Sequence, residues 1–360
     1  MKTQRKIGSS ASPRTALRRL ALLLAVAAAA VAALPAMAQT KVRVGVVGTA
    51  SDSVYYIAQD RGYFKKEGLE VEFIPFKSAS NMVAPLGADQ LDVGGGTVSA
   101  GLYNAVSRDV SVRIVADKGS IQPGYAFSGL MVRKDLMDAG KYKSYKDLKG
   151  MKVAIGAEGT STASALNEAL KRGGLKYSDV EIVDLGFPQH IAAYANKGID
   201  ASITNEPTMT RAIEAGLAVR VAGNDVIYPY QQTSVLLYSE NLIKSKPDVG
   251  LRFMRAYLRG LRDYNDVLRN GHISGPGSDE VIAILTKSTA VKDAEIYRKI
   301  SPPAADPDGK VNVKSLEKDL AFFRSQGLVG DTKITAASLM DTSFVTRAVQ
   351  QLGPYKKKVP

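Results

Sequence analysis

The chain has 360 residues, two histidines, no cysteine and a formal net charge of +13. This composition excludes disulfide bonds and a lipid-modified cysteine, and it disfavours zinc or haem sites because their usual ligands are scarce. Six positive charges precede residue 39, and the others are mixed with acids and form no basic stripe between aromatic residues. We therefore expect no nucleic-acid partner.

The first 38 residues have the pattern of a secretory signal peptide. Basic residues without any acid precede an apolar run over 20–34, and Ala36-Met37-Ala38 places small residues where a signal peptidase cleaves. The run is shorter than the roughly 20 apolar residues that span a bilayer. We predict cleavage after Ala38 and export to a periplasm, by the general secretory route, with Arg18-Arg19 keeping the twin-arginine route as an alternative.

A strand–helix–strand unit begins the remaining chain. A short strand is predicted over 42–47, and a helical pattern begins near Val54 and ends at Gly68. Apolar residues then alternate with Glu70 and Glu72, as in a strand with two different faces. This order predicts a parallel sheet covered by helices, hence an α/β fold.

The same alternation continues through the first two thirds of the chain, with Gly94–Gly96 interpreted as a turn after a short strand. The further predicted strands are 91–93, 112–116, 127–132, 152–155, 180–183, 199–203 and 233–238, and the helices between them are 98–106, 163–171 and 190–196.

From Pro247 on, the pattern is helical. Leu251, Met254, Tyr257, Leu258 and Leu261 recur at steps of three and four residues, which predicts an amphipathic helix. The further predicted helices are 279–286, 311–325 and 336–340.

Four segments, in order, resemble solute-binding proteins of ABC importers in the nitrate/sulfonate/taurine group, also called SsuA/THI5-like. They are the helix with Gly62-Tyr63-Phe64-x-x-Glu67-Gly68-Leu69-x-Val71, the short strand Leu91-Asp92-Val93, the segment Tyr145-Lys146-Asp147-Leu148-Lys149-Gly150-Met151-Lys152-Val153-Ala154, and Glu206-Pro207. The resemblance covers about residues 41 to 265.

This resemblance implies a two-lobed, type II periplasmic-binding-protein fold, in which each lobe is a mostly parallel sheet flanked by helices. Lobe I is predicted to comprise 39–126 and 229–360, with the C-terminal helices packed on it, and lobe II to comprise 127–228. The implied function is capture of a small solute by hinge closure and its delivery to a membrane permease with a cytoplasmic ATPase. The resemblance implies a monomer without cofactor, and not an enzyme.

Ligands of open α/β sheets bind beyond the carboxyl ends of the strands, where backbone N–H groups at helix starts are unpaired. The strand ends of this chain predict a set of contact residues. They are Thr49, Ser51, Tyr55, Phe76, Ser78, Gly96, Thr97, Thr160, Ser161, Thr162, Asn205, Glu206, Tyr230 and Gln231, with Ser80, Gly95, Asp117, Lys118 and Phe187 at the same strand ends. Any single serine or threonine before a helix is more often an ordinary helix cap than a ligand contact.

Glu206 is the most informative member of this set, because an acid beside a cleft must be solvated, paired or hydrogen-bonded. We predict that its carboxylate faces the solute. Together with the aromatic residues Tyr55, Phe76, Tyr125, Phe187 and Tyr230, it favours a solute with a polar or anionic end and a ring or cationic group. Sulfonate- or taurine-like compounds, pyrimidine-like compounds and aromatic acids have this character.

Two alternatives remain open at this point. One is a receptor that presents its bound solute to a membrane sensor. The other is a THI5-like pyrimidine synthase, which the absence of cysteine disfavours because those enzymes resemble one another in a cysteine-rich motif. The nearest approach to a nucleophile elbow, Thr97-Val98-Ser99-Ala100-Gly101, lacks the first glycine.

Overall fold

The computed structural model describes residues 39–357, so the predicted signal peptide and its cleavage site lie outside the described residues. Two five-stranded sheets are present in this part of the chain. Their strands are β1 (Thr40–Val46), β2 (Leu69–Pro75), β3 (Val93–Gly96), β4 (Arg113–Ser120), β5 (Ser128–Arg133), β6 (Lys152–Ile155), β7 (Glu181–Asp184), β8 (Ala201–Asn205), β9 (Ala218–Gly223) and β10 (Gln232–Tyr238). Leu268–Arg269 and His272–Ile273 pair separately as a short hairpin.

Helices cover both sheets. They are α1 (Ser53–Asp60), α2 (Tyr63–Lys66), α3 (Val83–Gly87), α4 (Ala100–Val106), α5 (Lys134–Asp138), α6 (Ser161–Arg172), α7 (His190–Ala195), α8 (Thr208–Glu214), α9 (Asn224–Ile227), α10 (Pro247–Val267), α11 (Ser278–Ser288), α12 (Ala294–Lys299), α13 (Val313–Ser325) and α14 (Ser343–Leu352). Short 3₁₀ turns lie at Ala50–Asp52, Ala79–Met82, Tyr145–Leu148, Tyr177–Asp179, Phe187–Gln189 and Ala337–Leu339, and a π-helical turn at Asn241–Ser245. No helix among residues 39–357 has both the length and the hydropathy to cross a bilayer.

The two sheets share one topology. The first has the order β2-β1-β3-β10-β4 and the second the order β7-β6-β8-β5-β9. In each, a single strand runs against the other four: β10 is antiparallel to β3 and β4, and β5 is antiparallel to β8 and β9. Both reversed strands follow a crossing of the chain from one sheet to the other. The predicted two-lobed α/β fold with mostly parallel sheets is confirmed.

The two crossings, residues 121–127 and 224–231, lie side by side, because Ile121 N donates to Gln231 O at 2.8 Å. The long helix α10 packs on α1 and α14, and its five predicted apolar positions are all buried. Helix α13 packs between the halves: Tyr103 Oη of α4 donates to Leu316 O, and Ser164 Oγ of α6 donates to Asp319 Oδ1.

Two local predictions were wrong. The helix predicted from Val54 to Gly68 is two helices, because Gly62 adopts the left-handed conformation with φ 68° and ends the first of them. Gly94–Gly96 is not a turn: these glycines belong to β3 and pair with Val235, Leu236 and Leu237 of β10. This strand is built from glycines because neighbouring side chains occupy the space beside its backbone. A Cβ on Gly95 would lie 2.4 Å from Tyr55 Oη and 2.7 Å from Lys118 Cε.

We therefore expect Gly95→Ala to lower the free energy of unfolding by about 1–3 kcal/mol, the usual cost of overpacking a filled interior. Urea denaturation followed by circular dichroism measures this change. Gly330→Ala is the matched control, since a Cβ there meets no atom within 4 Å. Equal stability of the two variants would contradict the packing argument.

Candidate functional site

A narrow cleft with a cavity volume of about 10 Å³ lies between the two sheets. One wall of the cleft belongs to the first sheet and the other wall to the second sheet. Both walls are formed where strands end, except at β10, whose start reaches the cleft because this strand is reversed. The lining residues are Val47, Thr49, Ser78, Ala79, Gly96, Thr97 and Ser234 on the first wall and Gly156, Ala157, Thr160, Phe187 and Asn205 on the second. None of these side chains carries a charge.

The structure brings six of the predicted contact residues together in this lining: Thr49, Ser78, Gly96, Thr97, Thr160 and Asn205. Phe187, from the wider set of strand ends, also lines the cleft. Ser234 was missed because it lies near the start of a strand, and only the reversed direction of β10 brings that start to the cleft. Val47, Ala79, Gly156 and Ala157 were missed because they carry no polar side chain that would single them out.

Beneath the first wall, Asp52 organises the loop between β1 and α1. Its Oδ2 accepts hydrogen bonds from the backbone N–H groups of Val47, Gly48 and Thr49, at 3.0, 2.8 and 3.3 Å. These three N–H groups are therefore not available to a solute, since a carboxylate of the chain itself already occupies them.

Asp52 is paired with Lys118 of β4. Lys118 Nζ lies 2.6 Å from Asp52 Oδ1, and neither side chain is exposed to solvent. The ammonium group also donates to Ser51 Oγ at 3.0 Å and lies 5.1 Å from the centre of the Tyr55 ring. Burial lowers the pKa of Lys118, and the adjacent carboxylate opposes that change. Ser51 and Tyr55 therefore contact the ion pair, whereas we had predicted contact with a solute.

The second wall is built from the loop before α6 and from the ends of β7 and β8. Thr160 Oγ1 donates to Ala157 O at 2.6 Å, and Thr162 Oγ1 lies 3.0 Å from Thr160 Oγ1. The Phe187 ring packs on Gly156, where a Cβ would approach Phe187 Cζ to 2.5 Å. Thr162 thus supports the wall from behind and does not line it.

Asn205 is the distinctive polar group of the second wall. Its side chain is 4% exposed, and among residues 39–357 its Oδ1 has no hydrogen-bond partner. A buried amide oxygen without a partner loses hydration worth about 1–3 kcal/mol. A group in the cleft that donates a hydrogen bond recovers this loss.

Several predicted residues join the two halves instead of lining the cleft. Gln231 Nε2 donates to Ser161 O at 2.8 Å. The backbone oxygen of Glu206 also joins the halves, because it accepts a hydrogen bond from Ala50 N at 2.9 Å. Ala100 N similarly donates to Gly159 O at 2.8 Å. The halves are thus held together by direct hydrogen bonds on both sides of the cleft.

The Glu206 carboxyl group is not part of the lining, contrary to our prediction. It accepts hydrogen bonds from Thr210 N and Thr210 Oγ1, both at 2.9 Å, and from Ser301 N at 3.4 Å. Burial raises its pKa to about 7. A buried acid must be paired, solvated or hydrogen-bonded, and this one is hydrogen-bonded within the protein.

The two other aromatic candidates also lie elsewhere. Phe76 is half-buried and packs against the interior between the sheets. Tyr230 is 53% exposed and has φ 61°, and its carbonyl accepts from Asn312 Nδ2 at 2.8 Å. Neither lines the cleft, so Phe187 is its only aromatic residue within the described part of the chain.

Ser99 is a helix cap, accepting a hydrogen bond from Leu102 N. His190 contacts Thr204 Oγ1 and Leu185 O through its two ring nitrogens, and burial lowers its pKa to about 4. His272 Nδ1 contacts Ile300 O. Neither histidine is hydrogen-bonded to Ser99, and residues 39–357 hold no cluster of three or more acidic or histidine side chains suited to a metal ion.

Comparisons with known proteins agree with this geometry. The NMT1/THI5-like family profile matches residues 51–266, more than half of the chain. The chain is 26% identical over 329 residues to a Bacillus subtilis (strain 168) protein whose name gives aliphatic sulfonates as its proposed ligand; the match covers 86% of this chain and 89% of that protein.

Two solved structures share the fold. The periplasmic nitrate-binding protein NrtA from Synechocystis PCC 6803 superposes with a TM-score of 0.73 at 13% identity, covering 87% of this chain and 89% of that one. The alkanesulfonate-binding protein SsuA from Xanthomonas axonopodis pv. citri, bound to MOPS, superposes with a TM-score of 0.66 at 17% identity, covering 83% and 97%. At these identities the likeness establishes the fold alone.

We expect Lys118→Met to lower the free energy of unfolding by about 3–5 kcal/mol, because it leaves the Asp52 carboxylate buried without its counter-ion. The double variant Asp52→Asn/Lys118→Met should be more stable than the single variant. Lys134→Met, which breaks an exposed pair with Asp138, serves as the control and should cost much less. Chemical denaturation measures all three, and a double variant no more stable than Lys118→Met would contradict this account.

Glu206 should make stability depend on pH. Its folded pKa of about 7 lies above the ordinary value of 4.5, so the folded state holds this proton more tightly than the unfolded state. The resulting stabilisation is present below pH 4.5 and is lost as the pH rises to about 7. Between pH 5 and pH 8 the wild type should lose about 2 kcal/mol more than Glu206→Gln, at 1.36 kcal/mol per pKa unit.

Urea denaturation of both proteins at the two pH values tests this expectation. The buried acids Asp117 and Asp319, whose pKa values burial also raises to about 7, are common to both proteins and cancel in the comparison. Glu181→Gln, at an exposed position, controls for the loss of one negative charge. Identical pH profiles for the wild type and Glu206→Gln would refute the assignment.

Proposed function

The chain belongs to the NMT1/THI5-like family, and from this premise we propose that it is the periplasmic substrate-binding component of an ABC-type importer. It captures a small organic solute between two lobes by hinge closure and delivers it to a membrane permease with its cytoplasmic ATPase. The protein acts as a monomer and needs no cofactor, and its signal peptide is removed after Ala38.

One observation carries this proposal: the buried Oδ1 of Asn205, without a partner among the described residues, in a cleft that both sheets line. An interior of this kind is suited to binding a molecule that supplies the missing hydrogen bond. We assign solute contact to six of the predicted residues that line the cleft: Thr49, Ser78, Gly96, Thr97, Thr160 and Asn205. The function is capture and release, and no bond of the solute is broken.

The lobes are proposed to divide at the two crossings. Lobe I comprises 39–126 and 229–360, and lobe II comprises 127–228. Sheet membership supports this division, since β1–β4 and β10 form one sheet and β5–β9 form the other. Opening separates the hydrogen bonds across the cleft, such as Ala50 N to Glu206 O, while the adjacent crossings act as the hinge. A solute that contacts both walls favours the closed state through its extra contacts there.

Thermal unfolding of residues 39–360 with nitrate, alkanesulfonates, taurine, pyrimidines and aromatic acids tests the function. A solute at a hundred times its dissociation constant should add about 2.7 kcal/mol, seen as a shift of a few degrees. Asn205→Ala should abolish the shift, whereas Asn196→Ala, at an exposed position in lobe II, should retain it. The proposal fails if neither this panel nor a small-molecule extract of the producing cells raises the melting temperature.

A further inference from the structure

The cleft is lined by hydroxyl groups, and each hydroxyl has one proton and two lone pairs. Whether a hydroxyl can donate to a solute or accept from it therefore depends on the hydrogen bonds that it already makes within the protein. On the second wall, Thr160 donates its proton to Ala157 O at 2.6 Å. Thr162 accepts from Gly156 N at 3.3 Å and must supply the proton shared with Thr160. Thr160 thus offers the cleft a lone pair, as the Oδ1 of Asn205 does.

On the first wall, the buried ion pair sets the direction of the hydrogen bonds. Ser51 Oγ accepts from Lys118 Nζ at 3.0 Å and from Ser234 Oγ at 3.3 Å, which occupies both of its lone pairs. Its own proton is therefore directed to Thr49 Oγ1, at 2.9 Å. Ser234 has used its proton and offers a lone pair, whereas the proton of Thr49 remains for the cleft.

Ser78 adds one more acceptor to the first wall. It donates to Asn81 Oδ1 at 2.8 Å, so only its lone pairs face outward. The side chains of the cleft thus offer acceptors at Ser78, Ser234, Thr160 and the Oδ1 of Asn205. They offer donors at the Thr49 hydroxyl and the Asn205 amide N–H₂, while the Thr97 hydroxyl has no hydrogen-bond partner among residues 39–357 and is able to serve as either.

The cleft also lacks a counter-ion for a charged solute. None of its lining side chains is ionisable, and the two buried charges beneath the first wall, Asp52 and Lys118, neutralise each other. A net charge enclosed between these walls would lose its hydration without gaining an ionic partner, which is costly. A flat ring, in contrast, finds an apolar surface on Phe187, which packs over Gly156.

We infer that the cleft selects a small solute without net charge, which donates N–H or O–H hydrogen bonds to Thr160 and Asn205 and accepts one from Thr49. Amides, ureides and amino-substituted heterocycles have this chemistry. A bare oxyanion has only acceptors, so it leaves the acceptors at Ser78, Ser234, Thr160 and the Oδ1 of Asn205 without a donor. This inference rests on the proposed function and deepens it. It also assigns Lys118 as a positioning residue, which acts through Ser51 on the direction of the Thr49 hydroxyl.

Matched probe pairs test the inference on the unaltered protein. Benzenesulfonamide and benzenesulfonate have nearly the same shape, as do nicotinamide and nicotinate, but only the amide of each pair is uncharged and donates N–H. Titration calorimetry should show at least tenfold tighter binding of the amide, equal to about 1.4 kcal/mol. An anion that binds as tightly as its amide, with binding lost in Asn205→Ala, overturns the inference and leaves the proposed function intact.

Asn205→Asp separates the two modes of recognition further. It keeps an acceptor and replaces the amide N–H₂ by an oxygen whose negative charge only a donor stabilises between these walls, so an amide probe should still bind within about tenfold of its original affinity, which is about 1.4 kcal/mol. If Asn205 instead donates to an oxyanion, the variant should lose at least a hundredfold. Asn196→Asp adds the same charge on the surface and should change neither affinity.

The role of Lys118 is tested by a separate measurement, the preference for the amide over the anion. In Asp52→Asn/Lys118→Met the direction of the Ser51–Thr49 hydrogen bond is no longer imposed, so the preference for the amide over the anion should fall while the variant remains folded. An unchanged preference would remove Lys118 from the specificity of the cleft. If neither probe pair binds but another solute does, a bound solute without an N–H or O–H donor overturns the inference. Failure of every solute and of the cell extract refutes the proposed function itself.

Discussion

The buried pair of Asp52 and Lys118 is the contact on which the rest of the cleft depends. Asp52 holds the backbone of the β1–α1 loop through three N–H groups, and Lys118 joins that loop to β4 across β3 and β10. A buried pair of this kind contributes little net stability, because desolvation offsets the attraction of the charges. Its consequence is geometric. Gly95 lacks a side chain because Tyr55 and Lys118 fill the space beside it.

The topology explains why two similar sheets make one binding site. Each sheet contains one reversed strand, which lies between strands of the opposite direction and immediately follows a crossing of the chain. The crossings lie together, and further hydrogen bonds such as Ala50 N to Glu206 O join the two halves. The C-terminal segment also spans both halves, through α13 against α6 and through Ser301 against Glu206. The proposed hinge closure would therefore involve the tail as well as the crossings.

The residues that line the cleft carry no charge. Related proteins are named for sulfonates and nitrate, which are anions, yet none of the residues that line this cleft is positively charged. Lys118, beneath the first wall, is neutralised by Asp52, and the N–H groups of the first loop are occupied by the same carboxylate. Under the inference drawn above, a solute is recognised through neutral hydrogen bonds. The similarity of the fold does not determine the solute, because recognition depends on a few side chains at the strand ends.

The sequence by itself determined the α/β class, nine of the ten strands in the two sheets, the amphipathic face of α10 and the family, because periodicity and local motifs depend on neighbouring residues. It missed β9. It also located half of the cleft, since strand ends of a parallel sheet meet at one edge. Only the tertiary structure decided the rest. Ser234 reaches the cleft because β10 runs backwards, Glu206 turns to Thr210 and Ser301, and Tyr55 lies beneath the wall against Lys118. These outcomes depend on contacts between residues far apart in the chain. Lys118 is 63 residues from Tyr55, and Ser301 is 95 residues from Glu206. Side-chain direction and long-range pairing leave no local signal in a sequence, and here they decide which polar groups face a solute.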